Sequence, residues 1–149
     1  MNFDGKVMVE AQRAKVWDFL LDVNRFASCV PGVEEVTQLD ERTFDGSISA
    51  RVGPISGSFS FRASIVDSKP PDELTARVEG KDSVTSSTLN GLMNMSLREN
   101  APDWTELIYS ANIEVKGRLA ILGDMILRAT AALILDEFIR RLKSQLEQA

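Results

Sequence analysis

The stretch Leu119–Leu135, LAILGDMILRATAALIL, decides how the chain must fold. It is apolar on nearly every side, interrupted only by Asp124 and Arg128, and from Asp136 onward it becomes an ordinary amphipathic helix. A helix from about Leu119 to Leu146 is therefore expected, with more apolar surface upstream than one contact face requires. At the end of a strand-rich chain, such a helix reads as the lid of an apolar cavity. That architecture suits a binder more than a catalyst.

Working back from this helix, the hydrophobic period changes from 3.6 to two. Leu107, Tyr109, Ala111, Ile113 and Val115 share one face of a strand. Leu89, Gly91, Met93, Met95 and Leu97 share another, and Leu74, Ala76 and Val78 a third. Ile55, Gly57, Phe59, Phe61, Ala63 and Ile65 alternate with Ser56, Ser58, Ser60, Arg62 and Ser64, which must face water. Phe44, Gly46, Ile48, Ala50 and Val52 form the inward face of the preceding strand, and Val36 and Leu39 belong to the one before it. Turns at Asp40–Arg42, Gly53-Pro54, Pro70–Asp72 and Asn100–Asp103 separate these strands. Nearer the start, Phe3, Gly5, Val7 and Val9 read as a first strand, and Val16, Phe19, Leu20 and Val23 fall at helical spacing. A second short helix is expected from about Asn24 to Cys29, capped by Asp22 and stopped by Pro31-Gly32. The order predicts one α+β domain over residues 1–149. A curved antiparallel sheet of seven strands packs on the long C-terminal helix, with two short helices after strand one.

Composition narrows the function. A chain of 149 residues is long enough for a substantial core, and 44% hydrophobic with 26% charged residues is an ordinary globular balance. There is no histidine, one cysteine and one tyrosine. Ser-His-Asp and Cys-His catalysis and histidine metal sites are thereby excluded, while carboxylate, lysine or tyrosine chemistry stays open. A single cysteine cannot form an internal disulfide, which fits a reducing cytosol. Met1-Asn2-Phe3-Asp4 leads directly into a strand pattern, so no leader is expected. The apolar run near the C-terminus is short and charged at Asp124 and Arg128, so no membrane span is expected either. A net charge of −5 repels a phosphate backbone. Arg140, Arg141 and Lys143 alternate with Asp136, Glu137 and Glu147 and read as a solvated helix face, so nucleic acid is not an expected partner.

Particular residues in this order resemble the START-like (SRPBCC) helix-grip superfamily, and within it the CoxG family of carbon monoxide dehydrogenase subunits. They are Phe3-x-Gly5, Val16-Trp17-x-Phe19-Leu20-x-Asp22, Cys29-Val30-Pro31-Gly32-Val33, Val52-Gly53-Pro54-Ile55 and Gly117-Arg118-Leu119-Ala120-x-Leu122-Gly123. The resemblance spans essentially the whole chain. It implies a sheet gripping the terminal helix around an apolar cavity. It also implies a role beside a molybdenum hydroxylase of the carbon monoxide dehydrogenase type, in membrane recruitment or in handling isoprenoid quinone. The expected location is the cytoplasm or the inner face of the membrane. No cofactor is implied. The superfamily also contains cofactor-free cyclases and hydratases, which keeps an enzyme as an alternative. A protein-interaction module with a filled core is a third reading.

Candidate site residues follow from the faces. Phe59, Phe61, Met93, Met95, Tyr109, Ile113 and Leu127 are the cavity-lining candidates, set against the plainer reading of a filled core. Tyr109 offers a hydroxyl to a ligand head group or to backbone. Asp124 and Arg128, one helical turn apart, are candidates for a charged pair at the cavity mouth. The plainer readings are a surface i,i+4 pair and, for Asp124, a helix cap. Leu122, Met125, Ile126, Ala129 and Leu133 continue the late polar face upstream and are expected to be exposed, meeting a membrane, a partner enzyme or a second copy of this chain. Cys29 reads as a structural thiol. Asp40, Glu41 and Asp45 lack the spacing of a calcium loop, and no metal site is expected. No residue is assigned a catalytic role.

Overall fold

The computed structural model describes residues 1–52, 54–82 and 84–147. Seven strands run as β1 (Asn2–Val9), β2 (Val33–Gln38), β3 (Thr43–Val52), β4 (Ile55–Lys69), β5 (Glu73–Asp82), β6 (Ser87–Ala101) and β7 (Trp104–Lys116). All pair antiparallel in one sheet ordered β1-β7-β6-β5-β4-β3-β2. Strands β2 to β7 form the expected meander, and β1 closes on its last member. Helices α1 (Arg13–Leu21) and α2 (Val23–Cys29) carry the chain from one sheet edge to the other. The fold is START-like, with α3 (Asp124–Glu147) lying on the sheet's concave face. Register shifts within β2, β4 and β6 are the kind of irregularity that bends a strand. The Gly53-Pro54 hairpin and the inward side chains of Val52 and Ile55 lie outside what is described.

The local signals act as the sequence suggests. Asp22 Oδ1 accepts a hydrogen bond from the Arg25 amide at 3.2 Å and so caps α2. Ser56, Ser58, Ser60 and Arg62 are exposed on the convex side, where Arg62 forms a two-pronged pair with Asp45 at 2.7 and 2.9 Å. That pair draws the Asp45 carboxyl below its ordinary range.

The terminal helix differs from expectation at its start. A single helix from Leu119 was expected; the chain instead makes a short 3-10 helix (Arg118–Leu122), turns at Gly123, and begins α3 at Asp124. Gly123 has φ +88, a left-handed conformation that costs glycine no steric penalty and ends the first helical segment. Asp124 stands in the first turn of α3, where the helix dipole favours an acid.

The core falls into two pieces. The larger joins Val7, Val9, Leu74, Leu97 and Leu107 of the sheet to α1, to Cys29, and to Leu142 and Leu146 of α3. The smaller joins Phe59 and Leu119, flanked by Ile48, Val115, Leu122, Ile126 and Leu127. The two clusters hold opposite ends of α3. At the C-terminal end, Gln145 and Arg141 also bond to Ser28 of α2, at 2.9 and 3.4 Å.

Candidate functional site

Between the two clusters the concave face is still apolar but is not closed. Phe3, Phe61, Ala76, Val78, Met93, Ala111 and Ile113 of the sheet are only half-buried, as are Ala131, Ile134 and Leu135 of α3. Inward-facing apolar side chains at the middle of a sheet, beneath a helix, are normally sealed. Their residual exposure shows that this part of the concave face stays open to water. The backbone of α3 approaches the sheet chiefly at β1 and β3, on its flanks, and stands off the central strands.

Two features make this gap. The first is small side chains at its floor and roof. Gly91 pairs with Ile113, Ala76 with Met93 and Met93 with Ala111, while Ala131 stands on α3. The second is that two aromatic rings lie down across neighbouring strands instead of standing up into the space. Tyr109 of β7 lies over Gly5 of β1, its register partner, and a Cβ at residue 5 would be 2.5 Å from Tyr109 Cζ. Phe61 of β4 lies over Gly46 of β3 in the same way, where a Cβ would be 2.6 Å from Phe61 Cζ. Each glycine is a bed for a ring.

The lining candidates separate accordingly. Phe61, Met93 and Ile113 border the gap. Met95 and Tyr109 sit at its edge, packed against the larger cluster. Phe59 is buried under Leu119, and Leu127 packs beside it, so these two belong to the smaller cluster. Burial raises the Tyr109 phenol above its ordinary value, with Asp136 and Asp4 adding to the effect. The phenol therefore keeps its proton at neutral pH and can donate a hydrogen bond. Sequence reasoning did not single out Gly5, Gly46 or Ile134 as site residues. The glycines stand at regular inward positions, but only the strand register reveals which ring lies on them.

Two expectations need correction. Arg128 does not join Asp124 at a cavity mouth: Nη1 donates to the Asn2 carbonyl at 3.3 Å, and the guanidinium lies 5.5 Å from the Phe3 ring centroid. It thus ties α3 to β1. Leu122 and Ile126 are not exposed; both pack on the smaller cluster. About three turns of 3.6 residues back from Asp136 fall on Met125, not Ile126, and Leu122 precedes the Gly123 break, where helical phase is lost. The exposed positions are Met125, Ala129 and Leu133. Two open hollows lie elsewhere on the molecule. One of about 490 Å3 is lined by Arg51, Gly57, Asp82 and Val84, and one of about 320 Å3 by Arg13, Pro71 and Trp104.

At the end of the smaller cluster lies a polar knot that the sequence did not signal. Asp82, Thr85 and Ser87 are buried. Asp82 accepts from the Val84 amide and the Thr85 hydroxyl, both at 2.9 Å. Thr85 Oγ1 also lies 2.9 Å from Ser87 Oγ, and the Ser87 hydroxyl donates to the Thr85 carbonyl at 3.4 Å. Ser87 Oγ in turn accepts from the Leu119 amide at 3.1 Å. The knot fastens the 3-10 helix to the β5–β6 hairpin. Cys29 is fully buried, and burial pushes its thiol up, which disfavours the thiolate.

Solved structures share this architecture. A conserved protein from Geobacillus kaustophilus superimposes with a TM-score of 0.91 at 20% identity, over 99% of this chain and 96% of that one. A START superfamily protein from Mycobacterium smegmatis gives 0.77 at 14%, over 99% and 97%. The Zhui aromatase/cyclase from Streptomyces sp. R1128 gives 0.74 at 14%, over 99% and 94%. No curated protein matches the sequence. The family model for CoxG, described as a carbon monoxide dehydrogenase subunit, matches residues 5–147, and with nearly the whole chain matched, the chain belongs to the CoxG family.

Proposed function

We propose that this chain binds an apolar small molecule, an isoprenoid quinone or a similar lipid, in the gap between the sheet and α3. In this reading it serves a molybdenum hydroxylase of the carbon monoxide dehydrogenase type as an accessory, in recruitment or in quinone delivery. The observation that carries the reading is the half-buried apolar surface between the two core clusters. A ligand there would cover Met93, Ile113, Ala131 and Leu135, and methionine adapts to irregular shapes. Family membership supports the enzyme partner. No helix among the described residues is long and apolar enough to cross a membrane, and we place the chain in the cytoplasm or at the inner membrane face. Native mass spectrometry of protein from its own host tests the ligand. A co-purifying quinone or lipid, displaced by Ala111→Trp, is the expected result; an empty protein that also refuses added menaquinone would overturn it.

Tyr109 favours a second reading. Its phenol stands at the edge of the gap and holds its proton, and one structural neighbour is an aromatase/cyclase. As a ligand contact, Tyr109→Phe should change affinity by about tenfold or less, since a neutral hydrogen bond contributes about 1 kcal/mol. As an acid, the same change should lower turnover by about a hundredfold or more while binding persists. We hold the chain to be a binder, because the gap is otherwise lined by apolar side chains.

A further inference from the structure

Two side-chain donors stand along one side of the gap, at the seam between β1 and α3. Tyr109 is the first. Its ring lies across Gly5, and its hydroxyl has no hydrogen-bond partner among the described residues. Water reaches that hydroxyl, because no buried polar side-chain atom among the described residues lacks a partner. Arg128 is the second. It reaches from α3, donates Nη1 to the Asn2 carbonyl at 3.3 Å, and lies 5.5 Å from the Phe3 ring centroid. Its other N–H groups have no acceptor among the described residues. Phe3 and Gly5 are alternate residues on the inward face of β1, so the two stations stand roughly 7 Å apart along the strand.

The rest of the gap offers no such group. Met93, Ala76, Val78 and Phe61 border it away from β1, and half-buried Thr130 of α3 gives its hydroxyl proton to the Ile126 carbonyl at 3.0 Å. Charges of both signs surround the seam. Lys6 and the Met1 ammonium, which donates to the Ile113 carbonyl at 2.8 Å, stand against Asp4 and Asp136. Spacing, not net charge, therefore selects what fits. A carboxylate or phosphate carries its oxygens on one atom and satisfies one station. A single hydroxyl has the same limit. A ring with carbonyls on opposite carbons presents one acceptor to each donor.

We propose that the β1–α3 seam holds the head of the ligand, a neutral ring dione whose two carbonyls accept from the Arg128 guanidinium and the Tyr109 hydroxyl. The tail then runs beneath α3 across Met93 and Ala76 toward Phe61. This rests on the binding reading above. It adds the direction in which the ligand lies and the two groups that choose its head, and it favours a quinone over a fatty acid or a prenyl alcohol.

Titration with three probes reads that choice: menaquinone with a farnesyl tail, farnesol, which is the same tail ending in one hydroxyl, and palmitate. The natural chain should prefer the menaquinone to either by about tenfold or more, since its second acceptor meets a charged donor. The double variant Tyr109→Phe/Arg128→Met should bind menaquinone and farnesol alike. Its replacements keep the ring and the aliphatic stem, so its thermal melt should stay close to that of the natural chain. Infrared spectra of carbonyl-labelled menaquinone give a readout that a packing role would not move. Both carbonyl bands should lie below their position in hydrocarbon solvent, and Tyr109→Phe should return one of them and Arg128→Met the other. Unshifted bands in the natural chain, or a double variant that keeps the full preference, overturn the proposal while leaving the gap a binding site. Palmitate bound more tightly than menaquinone also overturns it, since the seam would then hold an anion. A chain that takes up none of the three probes overturns this proposal and the binding reading together.

Discussion

Tyr109 and Gly5 are register partners on β7 and β1, and the phenol ring occupies the place where a side chain at residue 5 would begin. Gly5→Ala must therefore lift the ring toward the gap. The expected loss is about 1–3 kcal/mol, the range for overpacking. In a Tyr109→Leu background the same substitution should cost much less, and urea unfolding of all four chains gives the coupling. Equal costs in both backgrounds would mean that ring and glycine are independent.

Ala131 faces the gap from α3. In a packed interior, Ala131→Leu would cost about 1–3 kcal/mol. Here the added atoms have room, so the thermal midpoint should hold or rise while quinone affinity falls about tenfold or more. Titration of a soluble menaquinone analogue beside a melt measures both. A destabilised chain with unchanged affinity would show the middle of the concave face to be filled.

Ile126 and Met125 are neighbours in sequence but lie in different environments, one against the Phe59–Leu119 cluster and the other in solvent. Ile126→Ser should cost up to about 1.5–3 kcal/mol. Met125→Ser should stay within about 0.5 kcal/mol. Similar losses for the two in denaturant unfolding would contradict the orientation of α3.

Glu137 accepts from Arg140 at 2.6 and 3.0 Å and from Arg141 at 2.8 Å, which draws its carboxyl from the ordinary 4.5 to about 2. The folded carboxyl is depressed, so its contribution is present above pH 4.5 and disappears as pH falls toward 2. A carboxyl titration by NMR should find Glu137 ionised well below ordinary glutamates, and Arg140→Gln should move it back toward them. An ordinary midpoint in the natural chain would show the cluster broken in solution.

The strand order was legible because each strand has one apolar face and each turn has its own residues. Phe59 to Ile65 against Ser58 to Ser64 leaves little choice of register. The terminal helix was legible as a cover, but the outer side of its upstream half was misplaced at Leu122 and Ile126. Its upstream half is apolar nearly all round, so no polar stripe marks which side meets water, and Gly123 resets the phase without leaving a periodic trace. The gap was legible as a cavity beneath the terminal helix, but not in its lining. Whether Phe61 stands in it or lies on Gly46 depends on the β3–β4 register, which joins residues 15 apart. Arg128 was misplaced because Asp124 is its nearest acid in sequence, whereas its partners on β1 are brought in only by tertiary structure.

A core in two halves gives occupancy a mechanical meaning. Whatever fills the space between the halves acts as a missing piece of the interior, so loading the protein and finishing its fold are one event. Ligand at a hundred times its dissociation constant adds about 2.7 kcal/mol of stability. Proteases cut chains that have opened, and the empty chain opens more often. Its lifetime in the cell would then follow the supply of cargo, and abundance itself would report how much there is to carry.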